Sequence, residues 1–416
     1  MQNKMLSKKK YSGLYSIFFS ISIIYFFDFD TILNHLILKN KISNVQIADF
    51  FTISAILFNF FIIASGYVFD KNKNGSKLIF ISANIISIIM AISLLTTNDR
   101  HISNNIILSL IMLNSLKDAL MIGKLEAAIY KEVAINIDKT SFKYPKYISF
   151  AYLLIDIMHI SSPMITTIFL LTNHDSNTIK TCVIIFYIVL SLSSTYIIIK
   201  TKDSNVQSKK TNFLLNLKNS IKNKKNTQNI LLFGFFTSHM FLYKEILTIG
   251  LKSFGSSSII TFAQSKSIYY GCMIIGCIFS ILFSNKILDK KKDGIFTYSI
   301  PIIATGMTLA SFVLENIYLL FSSIFLISFS FCTFESLIGR KIDRESSINT
   351  IGSIDSAMWL LSSIAAMIFS SMLSIISRVS NTSIGIQISL SLLLLCIIVV
   401  SRKHYTQSSG HNPQKI

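Results

Sequence analysis

Gly66-Tyr-Val-Phe-Asp70-Lys-Asn-Lys-Asn-Gly75 and Asn285-Lys-Ile-Leu-Asp289-Lys-Lys-Lys-Asp-Gly294 are the two stretches that decide the fold. Each lies between two long apolar runs. An Asp ends the first run, a lysine-rich turn follows, and a Gly precedes the second run. The two Asp residues stand 219 positions apart in a chain of 416. A displacement of about half the chain points to duplication of one helical unit.

The bulk composition agrees. Hydrophobic residues make up 51% of the chain and charged residues 14%, against roughly 25% charge in a soluble protein. Apolar residues fall in blocks of about 20, the length that crosses a hydrocarbon core. The net charge of +19 does not indicate nucleic-acid binding, because the lysines sit in short links between apolar runs. The five cysteines, Cys182, Cys272, Cys277, Cys332 and Cys396, lie in apolar stretches and read as small buried hydrophobes. Lys8-Lys9-Lys10 before an apolar run mimics a secretory leader, but the run ends Tyr25-Phe-Phe-Asp28-Phe-Asp30 without a small-residue cleavage site. An uncleaved first span is expected.

Apolar runs and polar breaks predict twelve helices, near 11–28, 49–69, 78–97, 104–123, 147–171, 179–199, 229–251, 262–284, 295–313, 317–337, 349–376 and 383–401. The expected organisation is a six-helix bundle over 1–200, a basic linker over 201–228 and a second six-helix bundle over 229–416. With the N-terminus placed inside, 30 of the 39 basic residues fall on inner segments and six on the outer links. The other three, Lys117, Lys244 and Lys266, lie within spans. Cytoplasmic loops carry the basic excess, so both termini, the linker and both repeated turns are expected on the cytoplasmic side.

Six plus six helices, a basic central loop and this turn after span 2 together resemble the major facilitator superfamily. Its turn reads Gly-x-x-x-Asp-(Arg/Lys)-x-Gly-(Arg/Lys)-(Arg/Lys), matched by type at Gly66, Asp70, Lys71, Gly75 and Lys77, with two extra residues. The second copy keeps Asp289, Lys290 and Gly294, with Asn285 at the first Gly position. The resemblance implies an all-α membrane protein of two pseudo-symmetric bundles in a bacterial inner or plasma membrane. It also implies that the turns latch the halves together on the cytoplasmic side. Gly123-Lys-Leu-Glu126-Ala-Ala-Ile-Tyr130 and Phe334-Glu335-Ser-Leu-Ile look like segments of bacterial facilitators of efflux-permease type. Glu126, Glu335 and Arg340, at cytoplasmic helix ends, are expected to help that gate close.

Charges inside spans are costly unless paired or hydrated, and are functional candidates for that reason. Asp156 and His159 share one face of span 5 near the midplane, a spacing that suits proton coupling. Lys117 and Asp118 in span 4 point about 100° apart; an inward Lys suits an anion, an inward Asp a cation or proton. Lys244 and Glu245 repeat the theme nearer the outer face of span 7. For these two, and for Asp28 and Asp30 at the end of span 1, interfacial snorkelling is the simpler reading.

No phosphate-binding loop, zinc-protease motif or nucleophile elbow occurs in the sequence. No catalytic residue, cofactor or metal is expected. The resemblance implies a monomeric secondary transporter with a small-molecule substrate, protons as the coupling ion and the bilayer as its surroundings. The favoured reading is export of a drug-like compound or a secreted metabolite such as a carboxylate siderophore. Nutrient uptake and a non-transporting receptor are the alternatives.

Overall fold

Serine takes the place that glycine holds in many membrane helix contacts, and its hydroxyls tie neighbouring helices together. Ser194 Oγ donates to Ser20 Oγ (3.0 Å), and Asn84 Nδ2 donates to Ser194 Oγ (3.2 Å). Ser65 Oγ reaches both Ile62 O (2.9 Å) in its own helix and Ala119 O (3.0 Å) in a neighbour. All of these serines are buried. A small side chain lets helix backbones approach, and its hydroxyl finds a partner inside the protein.

The computed structural model describes residues 12–40, 42–71, 75–96, 103–122, 161–170, 177–201, 293–327, 351–380 and 382–409. It also describes short pieces or single positions within 124–129, 157–158 and 234–278. The helices are α1 (Ser12–Ile24), α2 (Phe29–Lys39), α3 (Asn44–Lys71), α4 (Gly75–Thr96) and α5 (Asn104–Met121). They continue as α6 (Ser161–Leu170), α7 (Asn177–Lys200), α8 (Asp293–Val313), α9 (Ile317–Ile327), α10 (Ile351–Val379) and α11 (Thr382–Ser409). Among the described residues five stretches are long and apolar enough to cross a membrane: Ser16–Ile37, Asn44–Phe69, Gly75–Leu95, Thr181–Lys200 and Ser356–Val379.

Most expected spans fall where the apolar runs put them. The first does not. It runs on beyond Asp28, as α1 and α2 joined through Tyr25–Asp28, so its polar end is an interior break. Span 2 also starts earlier than expected, because Ser43 and Gln46 form a capping box. Gln46 N donates to Ser43 Oγ (3.2 Å) and Ser43 N to Gln46 Oε1 (3.1 Å). Most of spans 7 and 8 and nearly all of the 201–228 linker lie outside the described residues.

Two turns show how the chain reverses. At the repeated turn, a Cβ on Gly75 would stand 2.4 Å from Val68 O and 2.7 Å from Phe69 O, so only glycine lets α4 start against the end of α3. Between α8 and α9, Glu315 takes a left-handed φ of 50°, and Asn316 N donates to Ser311 O (2.9 Å). Asn316 Oδ1 then accepts from Tyr318 N (2.9 Å), capping α9.

Helices α1, α3, α4, α5 and α7 pack among themselves, with α2 on α5; α8 and α10 both pack on α11. Among the described helices the most extensive pairing is α3 with α10, which brings the first half of the chain against the second. Cys182, expected to be buried, is instead exposed on α7, among residues such as Ile185 and Phe186 that present apolar surface outward.

Candidate functional site

The break between α1 and α2 sits midway along Ser16–Ile37, at membrane depth. Backbone there has no water to bond to and needs partners from the protein. Tyr25 N still donates to Ile21 O (2.9 Å) and Phe26 N to Ile23 O (3.1 Å), closing α1. Asp28 N donates to Thr166 Oγ1 (2.8 Å) on α6. The Asp28 carboxylate then caps α2, accepting from Thr31 N (3.2 Å) and from the Thr31 hydroxyl. A carboxylate at a helix N-terminus also meets the favourable end of the helix dipole.

Aromatic rings pack the break. Phe27 lies 5.0 Å from both Phe169 and Tyr187, and Phe26 stacks on Tyr187 at 6.2 Å. Tyr187 is fully buried.

The polar groups converge from α5. Asn114 Nδ2 donates to Asp30 Oδ1 (2.8 Å). Lys117 Nζ lies 3.9 Å from Asp118 Oδ1, 4.9 Å from the centre of the Phe29 ring and 5.9 Å from that of Tyr25. Lys117 is 3% exposed, so its charge is held by a carboxylate and the faces of two rings. Although neighbours on a helix diverge, the long lysine stem folds back to reach Asp118. On α2, Asn34 is buried with both amide atoms unbonded, and Asn114 Oδ1 is likewise unbonded. The break thus carries the Asp30 carboxylate bonded to Asn114 of α5, with the Lys117 ammonium, also from α5, over the Phe29 and Tyr25 rings.

A second polar set joins the two ends of the chain. Glu245, near the end of span 7, is 1% exposed; it accepts from the Ser370 hydroxyl through Oε2, while Oε1 has no partner. On the same face of α10, Ser374 Oγ donates to Asp49 Oδ1 of α3. Arg378 Nη2 donates to both Asp49 oxygens, at 2.8 and 2.7 Å. Lys252 Nζ donates to Ile42 O.

Of the residues singled out in the sequence, Lys117 and Asp118 are brought to the break in span 1. Glu245 is buried between helices, which corrects the snorkelling reading. Asp28 and Asp30 are corrected the same way, because the chain continues helically beyond them and makes their position internal. Gly66 is buried, Gly75 makes the tight turn, and Lys77 Nζ donates to Thr201 O. Asp70 and Lys71 end α3, and Gly294 lies in the first turn of α8; the side chains of Asp70 and Lys71 lie outside the description. Asp156, His159, Lys244, Asp289, Lys290, Glu126, Glu335 and Arg340 lie outside the described residues. Sequence reasoning passed over Asn34, Asn114, Thr166, Asp49 and Arg378. A polar residue in an apolar run was a signal for the first three, whereas Asp49 and Arg378 looked like ordinary span ends.

No protein-family model and no curated protein matches the chain. Solved structures do. A bacterial homologue of the iron transporter ferroportin, in an outward-facing state, is similar at a TM-score of 0.65 and 12% identity, covering 96% of this chain and 99% of that one. The same kind of homologue with soaked iron gives 0.61 at 11% identity, over 97% and 99%. A variant of the E. coli fucose:proton symporter FucP gives 0.60 at 13% identity, over 94% and 99%. Agreement over nearly the whole of both chains fixes the architecture: this is an all-α membrane protein with the major facilitator fold.

Proposed function

We propose that this protein is a secondary active transporter that moves a small solute by alternating access between its two halves. The observation that supports it is the first span, broken at membrane depth around Asp28 and Asp30 and faced by Asn114 and Lys117. Broken helices and buried charges at the midplane are how transporters of this general design build solute sites. The basic links set the orientation, with both termini and the Gly66–Gly75 turn cytoplasmic in a bacterial inner or plasma membrane.

Export of a drug-like compound or of a secreted metabolite such as a carboxylate siderophore is the favoured direction and cargo, resting on the span 4 and span 10 segments. Uptake of a nutrient is the second reading, favoured by the likeness to a fucose:proton symporter. Protons are the coupling ion, with Asp156 and Glu245 as the carboxyls that carry them. In proteoliposomes, an imposed pH gradient is expected to drive flux of labelled solute. Absence of gradient-driven flux with any solute that binds the protein would sink the transporter reading and leave a receptor. Asp156→Asn and Glu245→Gln separate the two carboxyls, since the coupling one loses gradient-driven flux but keeps counterflow exchange.

A further inference from the structure

Asp49 begins the second turn of α3, and Arg378 ends α10; they are 329 positions apart and bonded to each other. The Asp49 carboxylate takes three hydrogen bonds, two from Arg378 Nη2 and one from Ser374 Oγ, and all of them come from α10. Ser370, Ser374 and Arg378 recur every four residues, so one stripe of α10 carries the whole set. Ser370 turns to Glu245 of span 7. Close by in sequence to that span's end, Lys252 donates to the Ile42 carbonyl just before α3. Two separate contacts therefore join the first half of the chain to the second at the same end of the molecule.

This end is opposite the Gly66–Gly75 turn, which lies at the other end of α3. We infer that Asp49, Ser374 and Arg378 form an extracellular clamp that shuts the passage between the halves, and that its release is the step that opens the protein outward. Calling that end extracellular, and the release part of a cycle, rests on the orientation and transport reading above. The clamp is suited to a reversible role. Arg378 is 60% exposed and Asp49 32%, and a pair so wetted is held weakly enough to be broken and remade in each cycle. A buried pair of the same geometry would cost too much to separate.

The reporter is Met367→Cys, in a chain whose five cysteines are replaced by Ser. Met367 Sδ meets Asn59 Nδ2 of α3 at 3.7 Å, about 16 Å deeper along α10 than Arg378 at 1.5 Å per residue. A membrane-impermeant maleimide is applied outside intact cells, and its rate of attachment is measured. Asp49→Asn and Arg378→Gln are each expected to raise that rate roughly two- to fivefold, the population shift that an exposed pair of this kind controls. Ser374→Ala, a milder change that leaves the ion pair in place, should raise it less. The swapped pair Asp49→Arg with Arg378→Asp should return the rate toward the parent's. Unchanged labelling in all three single variants, each eluting as folded protein, overturns the clamp. Reporter labelling that rises only when the maleimide is supplied from inside overturns its extracellular placement. Labelling reads the clamp and flux reads transport, so a clamp that opens in a chain moving no solute would uphold this inference and defeat only the transport reading.

Discussion

Asn114 donates to Asp30 at 2.8 Å, and that bond fastens the outer piece of the broken first span to α5. The geometry explains how a carboxylate is kept at membrane depth, since a polar partner replaces the water it has lost. Asn114→Leu removes the donor and leaves the shape nearly unchanged. It is expected to lower stability by about 1–3 kcal/mol, the penalty of a buried acceptor losing a bond. Asp30→Asn in the same chain should recover part of that loss. Thermal unfolding followed by size-exclusion of the detergent-solubilised protein measures both.

Lys117 offers the sharpest test of the site. Lys117→Met keeps the length of the stem, and so the packing of α5, while removing the charge beside Asp118 and Phe29. Flux is expected to fall at least about tenfold, equivalent to about 1.4 kcal/mol, with a normal elution profile. Undiminished flux in a folded variant would remove Lys117 from the transport cycle.

The two glycines with contrasting surroundings make a paired prediction. Gly75→Ala places a Cβ 2.4 Å from a main-chain oxygen, so α3 and α4 must move apart. A loss of about 1–3 kcal/mol is expected, as for overpacked sites generally. Gly306 lies within α8 with nothing inside 4 Å of its added Cβ. Gly306→Ala should therefore stabilise by about 0.5–1 kcal/mol through helix propensity alone. Equal melting temperatures for the two variants would contradict the turn geometry.

Ser194 accepts from Asn84 and donates to Ser20, tying α1, α4 and α7 into one unit. Ser194→Ala should lower the melting temperature by removing the donor, while Ser194→Leu should prevent close packing and reduce the yield of folded protein. If Ser194→Leu folds as well as Ser194→Ala, the close approach of these helices is refuted.

The expected spans from 78–97 to 104–123, and those starting near 179, 295 and 383, lie close to α4, α5, α7, α8 and α11, because long apolar runs are a local property of the chain. The first span was misread for a related reason. Tyr25-Phe-Phe-Asp28-Phe-Asp30 looks like an end, since polarity in a hydropathy window marks a boundary whenever the residues that satisfy it are out of view. Asn114 satisfies the Asp30 carboxylate from 84 positions away, and Thr166 takes the freed Asp28 main-chain N–H from 138 positions away. Asp49 and Arg378 posed the same difficulty in a stronger form. Each is an unremarkable charge near a helix end, and only the folding of α3 against α10 makes them a pair. By contrast, Lys117 and Asp118 were legible at once, because a charge in the middle of an apolar run is conspicuous on its own.

The divided first span also constrains how the chain is made. Its two acidic residues emerge from the ribosome before any of the groups that accommodate them. At about 5–20 residues per second, Asn114 and Thr166 follow several seconds later. Until then Asp30 lacks the Asn114 amide and the Asp28 main-chain N–H lacks the Thr166 hydroxyl. The last bonds of the amino-terminal span are therefore made only once α5 and α6 have been synthesised, which couples its final packing to theirs.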